Sequence, residues 1–254
     1  MAKLEIRQFM CLSDNFGVLI HDKDADLTAS IDAPEASAIE AELASTGWRL
    51  THILNTHHHA DHTGGNLALK DKTGCTIVGP RDSRIPGIDV EVGEGESFDF
   101  GGHVAQIIAT PGHTLDHIAY WFEEDKVAFV GDTLFALGCG RVFEGNPRQM
   151  WSSLKKLAAL PAETSVYCGH EYTLANAKFA VTVEPDNQAL QQRAEKIADL
   201  RAENKPTLPT TIGEELKTNP FLRADTPELQ NAVGMTGDEP AEVFALVRKR
   251  KDNF

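Results

Sequence analysis

The chain is short of everything that would make it a fibre, a membrane span, a disulfide scaffold or a nucleic-acid clamp. It has four cysteines in 254 residues, Cys11, Cys75, Cys139 and Cys168, none in CxxC spacing, which fits reduced, space-filling thiols better than a disulfide framework or a structural zinc knot. Lys and Arg number 24 against 38 Asp and Glu, a net charge of −14. A surface that acidic repels phosphate backbones, so no nucleic-acid partner is expected. Nowhere does an uninterrupted apolar run approach 18 residues, and the opening Met-Ala-Lys-Leu-Glu-Ile lacks the layout of a signal peptide; the expectation is a cytoplasmic protein with no membrane partner, read here as a monomer. Internal repeats and low-complexity tracts are missing too. What remains, 41% hydrophobic and 24% charged residues, is enough to bury a full core and add a second, smaller domain.

Up to about residue 170 short apolar runs alternate with turns: Leu4–Phe9, Phe16–Ile20, Leu50–Leu54, Thr76–Gly79, Val104–Ile108, Ile118–Phe122, Val127–Val130 and Ser165–Tyr167. These predict strands. Helical windows lie between them, one opened by Asp32-Ala-Pro-Glu35 with Asp32 as cap, another over about Arg148–Ala159. After residue 172 Ala, Leu, Gln, Glu and Lys take over, with helix starts expected at Asp186, Thr211 with Glu214, and Thr226-Pro227. The fold class is therefore α/β, with residues 1–172 as a sandwich domain and 173–254 as a small all-helical domain.

One segment dominates the chemistry: Thr56-His57-His58-His59-Ala60-Asp61-His62, placed where a strand ends and a helix begins. On an extended chain residues two apart share a face, so His57 and His59 converge while His58 points elsewhere. Asp61 and His62, adjacent as the chain turns, can serve a second ion. A single histidine is usually structural, but four with one aspartate in six positions spell metal binding. Five donors exceed one tetrahedral ion, and three further strand ends offer more: His113 in Thr110-Pro-Gly-His-Thr114, Asp132 in Gly131-Asp-Thr133, where a carboxylate could bridge two ions, and His170 in Cys168-Gly-His-Glu171. Each is weak alone; together they are specific.

These motifs resemble the signature of the metallo-β-lactamase superfamily over residues from about 10 to 172. The resemblance implies an αββα sandwich and two divalent ions, zinc or alternatively iron or manganese, with His57, His59 and His113 on one, Asp61, His62 and His170 on the other, and Asp132 bridging. His21, His52, His58, His103 and His117 match no ligand position. Two ions sharing a water lower its pKa from about 16 toward neutrality, which favours hydrolysis without choosing the bond.

The choice comes from the segments 135–145, 168–173 and 247–254, which resemble the glyoxalase II (hydroxyacylglutathione hydrolase) family and extend the likeness to the whole chain. That family implies a thioesterase acting on S-(2-hydroxyacyl)glutathione, chiefly S-D-lactoylglutathione, to give glutathione and D-lactate in methylglyoxal detoxification. A metal-bridging hydroxide is the nucleophile there, with Asp61 and Asp132 as the catalytic carboxylates. It places the glutathione contacts on Arg141, Phe143, Tyr172, Arg248 and Lys251. Phe143 stands where a tyrosine is frequent, and Asp116 where a glycine is. The basic run 248–251 also has a plainer reading, charge complementing a C-terminal helix dipole; both can hold, with Lys249 and Arg250 solvated. The alternatives are a mononuclear iron persulfide dioxygenase of the same superfamily, or another hydrolase of this fold.

Overall fold

A computed structural model describes residues 3–254, and contacts divide the chain into two compact units: residues 1–109 with 116–131, and 110–115 with 132–254.

The first unit opens with the antiparallel strands β1 (Glu5–Cys11), β2 (Asn15–Asp22) and β3 (Leu27–Ile31). Helix α1 (Ala36–Thr46) then crosses to β4 (His52–Leu54), and α2 (Ala60–Thr63) and α3 (Asn66–Thr73) cross to β5 (Thr76–Pro80), which pairs with β6 (Val90–Val92). From β3 to β6 the pairing is parallel, with helices in the first two crossovers and a loop in the third. A second sheet is an antiparallel meander of β7 (Ser97–Phe100), β8 (His103–Ala109), β9 (Ile118–Phe122) and β10 (Val127–Phe129).

Ile39, Leu43, Leu50, Ile53, Leu69 and Ile77 bury the helices against the first sheet. On that sheet's other face the His52 ring meets Phe98 and Phe100 edge-on, and the fully buried Tyr120 donates to Asn55 O at 2.8 Å. The two sheets therefore pack face to face. The parallel strand β4 ends directly at Asn55-Thr56-His57, so the histidine segment issues from the carboxyl end of a central strand, the usual place for a site in such sheets.

The second unit carries the hairpin β11 (Leu134–Phe135) and β12 (Gly138–Cys139), helix α4 (Pro147–Ala158), and β13 (Ser165–Tyr167). Then follow α5 (Thr173–Val183), α6 (Gln188–Ala202), β14 (Thr210–Thr211), α7 (Ile212–Thr218), α8 (Pro227–Val233) and α9 (Pro240–Asp252). Leu137 is buried with Ala177, Ala180, Leu190 and Ile197, which locks α5 and α6 onto the hairpin loop.

Several local expectations need revision. Asp32 caps nothing: α1 starts at Ala36 after Glu35, and Asp32 is turned away from it. The third start lies at Asn187, one residue beyond Asp186, where the Asn187 side chain accepts from Leu190 N. Helix α4 begins on a full capping box of Asn146 and Gln149, and Thr211 and Thr226 cap α7 and α8 as expected. Strands β3, β6 and β7 and helix α5 were not marked by their sequence patterns.

Candidate metal centre

Within the first unit the histidine segment is held by its second partners. Asp32 accepts from Thr56 N at 2.7 Å and Thr56 Oγ1 at 2.8 Å, and its Oδ2 lies 2.8 Å from His62 Nδ1. An aspartate there leaves His62 Nδ1 to donate and its Nε2 to carry the lone pair. The Thr56 hydroxyl spends its proton on Asp32, so it accepts from His57 Nδ1 at 3.0 Å, and His57 Nε2 too keeps its lone pair. That atom lies 3.1 Å from His59 Nδ1. Two nitrogens on one tetrahedral ion at about 2.0–2.1 Å stand about 3.3 Å apart, so the pair is already spaced for one ion.

Asp61 and His62 leave the single turn of α2, with Asp61 Oδ2 3.6 Å from His62 Nε2. Asn15, at the start of β2, donates to both Asp61 O and Asp61 Oδ2, which fixes the carboxylate from behind. His58 points away as expected, toward Asp116.

The second unit holds the other three donors. His113 Nδ1 donates to Arg141 O at 2.9 Å; a carbonyl can only accept, so Nε2 again keeps the lone pair. Gly140 lets the chain pass close to Asp132 O, which a Cβ there would meet at 2.0 Å. Asp132 Oδ2 is 3.5 Å from His113 Nε2 and 3.3 Å from His170 Nε2. One carboxylate oxygen thus sits at ligand-to-ligand spacing from two imidazoles, where the sequence suggested one oxygen for each ion. All three side chains are buried.

Among the expected substrate residues, Tyr172 stacks on His170 at 4.7 Å and 5°, and Phe143 lies 5.2 Å from the His113 ring with 61% of its surface exposed. Arg248 is buried: it donates to Cys139 O at 2.9 Å, pairs with Asp252 at 2.9 Å, and lies over the Phe221 ring. Lys251 donates to Ala175 O between the rings of Phe179 and Phe254. Its pKa is lowered, first by burial and then by repulsion from Arg248 and Arg141. Three cations therefore share one neighbourhood, with Asp252 close to both arginines. Lys249 and Arg250 are exposed, as the sequence suggested, though Arg250 also donates to Val233 O.

Sequence reasoning missed Asn15 and Asp32. Neither stands in a motif; only through-space proximity reveals them.

The donor chemistry, neutral imidazoles with lone pairs set by second partners and carboxylates at ligand spacing, fits divalent metal. The metallo-beta-lactamase superfamily profile matches residues 26–170, and the profile of the hydroxyacylglutathione hydrolase C-terminus matches residues 171–254. Over 253 residues the chain is 59% identical to a hydroxyacylglutathione hydrolase of Mesorhizobium japonicum, covering 99% of both chains. The chain belongs to the hydroxyacylglutathione hydrolase family. A relative of that name from Rhizobium meliloti is 55% identical over the full length of both. Among solved structures, ETHE1 from Myxococcus xanthus aligns with a TM-score of 0.70 at 29% identity, over 96% of this chain and 90% of that one.

Proposed function

We propose that the protein is a binuclear metal-dependent thioesterase that hydrolyses S-(2-hydroxyacyl)glutathione, chiefly S-D-lactoylglutathione, to glutathione and D-lactate. The observation that carries this is a set of seven donors, of which His57, Asp61, His62 and His113 are oriented by second partners, in a chain of this family matched end to end. In this reading His57, His59 and His113 hold one ion, Asp61, His62 and His170 the other, and Asp132 is shared. Zinc, iron and manganese all suit such ligands. When bound, the ions lower the pKa of water and polarise the thioester carbonyl.

The chain's own residues do the rest. Asp32, Thr56 and Asn15 keep His57, His62 and Asp61 in one orientation, so no reorganisation is needed during turnover. Asp61, whose side chain is 43% exposed, is the carboxylate open to the substrate side and able to take up a proton. Arg141, Arg248 and Lys251 receive the glycine carboxylate of glutathione, Tyr172 flanks its backbone, and Phe143 offers an apolar face without a hydroxyl. Anchoring the far end of the substrate spends binding energy on placing the carbonyl. We assign this work to residues 1–172 for chemistry and 173–254 for substrate recognition, in a cytoplasmic monomer. The acidic charge and four buried free thiols support that setting, and no helix among the described residues is long and apolar enough to cross a membrane.

The deciding assay follows the loss of thioester absorbance with S-D-lactoylglutathione and, in parallel, oxygen consumption with glutathione persulfide. Thioester turnover without oxygen uptake is expected; the reverse would replace the proposal with the dioxygenase reading, which needs only three protein ligands.

A further inference from the structure

The chain re-enters the first unit at Asp116, and three consecutive residues there meet the histidine segment. Asp116 Oδ1 is 2.8 Å from His58 Nδ1, the His117 ring stacks on His57 at 4.8 Å and 25°, and Ile118 N donates to Thr56 O at 2.9 Å. The Asp116 side chain is 3% exposed, and its Oδ2 is buried with no hydrogen bond. Arg84 lies 3.9 Å from Oδ1 and is itself held by Asp82. Burying a carboxylate on so little is costly, so a return on that cost is to be sought.

The return lies in ligand choice. His57, His58 and His59 are three imidazoles in a row, and a metal ion takes whichever neutral imidazoles reach it. The His58 ring is only 4.9 Å from that of His59. A change of rotamer at His58 would swing its ring toward that of His59. The hydrogen bond to Asp116 occupies Nδ1 and fixes the ring on the far face. We infer that Asp116 is a positioning residue that withholds His58 from the metal, so that His57 and His59 are the ligands of this segment. The inference rests on the metal assignment proposed above.

The test uses Asp116→Ala, His58→Ala and the double variant, each loaded with Co(II), reading the visible ligand-field spectrum and the rate of metal loss to a chelator. Asp116→Ala should alter the spectrum and release metal about tenfold faster, because the freed His58 imidazole then competes with His57 and His59 for the ion. His58→Ala should match the unmodified protein, and the double variant should match His58→Ala, because the competing imidazole is gone. Asp116→Asn, which keeps an acceptor oxygen for His58 in a side chain of the same shape, should fold and stay close to the unmodified protein. An unchanged spectrum and release rate in Asp116→Ala, or a double variant as impaired as Asp116→Ala, would overturn the inference. His57→Ala separates the two levels: if it kept its full metal content, the ligand assignment itself would fail, whatever the cycle showed.

Discussion

Asp32 stands at a φ of 56°, a left-handed conformation that aspartate tolerates better than most residues, and from there its carboxylate reaches Thr56 and His62, 24 and 30 residues along the chain. Such partnerships leave no trace in local pattern, and the sequence suggests only a helix cap for this residue. The candidate donors were legible because metal chemistry concentrates rare residue types at short spacing, as in the run 57–62. Asp32→Asn preserves shape and removes charge, so metal affinity should fall about 10- to 100-fold in a chelator competition; an unchanged affinity would mean His62 needs no such support. Asp132→Ala removes the carboxylate proposed to be shared and should cost about 100-fold or more in turnover, with loss of metal measured in the same sample. Retention of two ions and near-normal rate would defeat the bridging role.

Elements with strong local signals matched their sequence patterns, and those held by neighbours did not. Helices α7 and α8 announce themselves through Thr211 and Thr226-Pro227, because a cap is a contact between residues three apart. Strand β7, Ser-Phe-Asp-Phe, has its strand character from pairing with β8, which an alternation of only four residues is too short to reveal.

Helix α7 brings a buried carboxylate into the second unit: Glu215 accepts from Leu137 N, Thr210, Asn219 and Arg193. Glu215→Ala leaves the Arg193 charge without its partner and should destabilise by about 3–5 kcal/mol in denaturant unfolding. In α9 the two basic residues differ. Arg248→Ala strips Cys139 O of its donor and should lower stability by about 1–3 kcal/mol as well as raise KM. Lys251→Ala should raise KM about tenfold with kcat largely kept. The Lys251 pKa is depressed, so its charge, present at lower pH, is lost sooner than an ordinary lysine's as pH rises. KM should therefore climb on the alkaline side, and Lys251→Arg should remove that climb. A KM profile indifferent to both substitutions would take Lys251 out of the anion site.

At the scale of the whole molecule, the charge of −14 makes a local group of cations conspicuous, and a chain without disulfides must stand on its cores. All four thiols are free and buried; burial pushes Cys11 up to about 12 and Cys139 to about 11. A thiol reagent at neutral pH should therefore find almost none in the folded protein and four after denaturation. The assignment of two ions per chain is the claim on which the rest depends. Its most direct test is to strip the metal, add it back in measured equivalents, and follow S-D-lactoylglutathione turnover alongside bound metal. Bound metal should saturate at two per chain and full activity should need the second equivalent; saturation of both at one would rule out a two-ion centre.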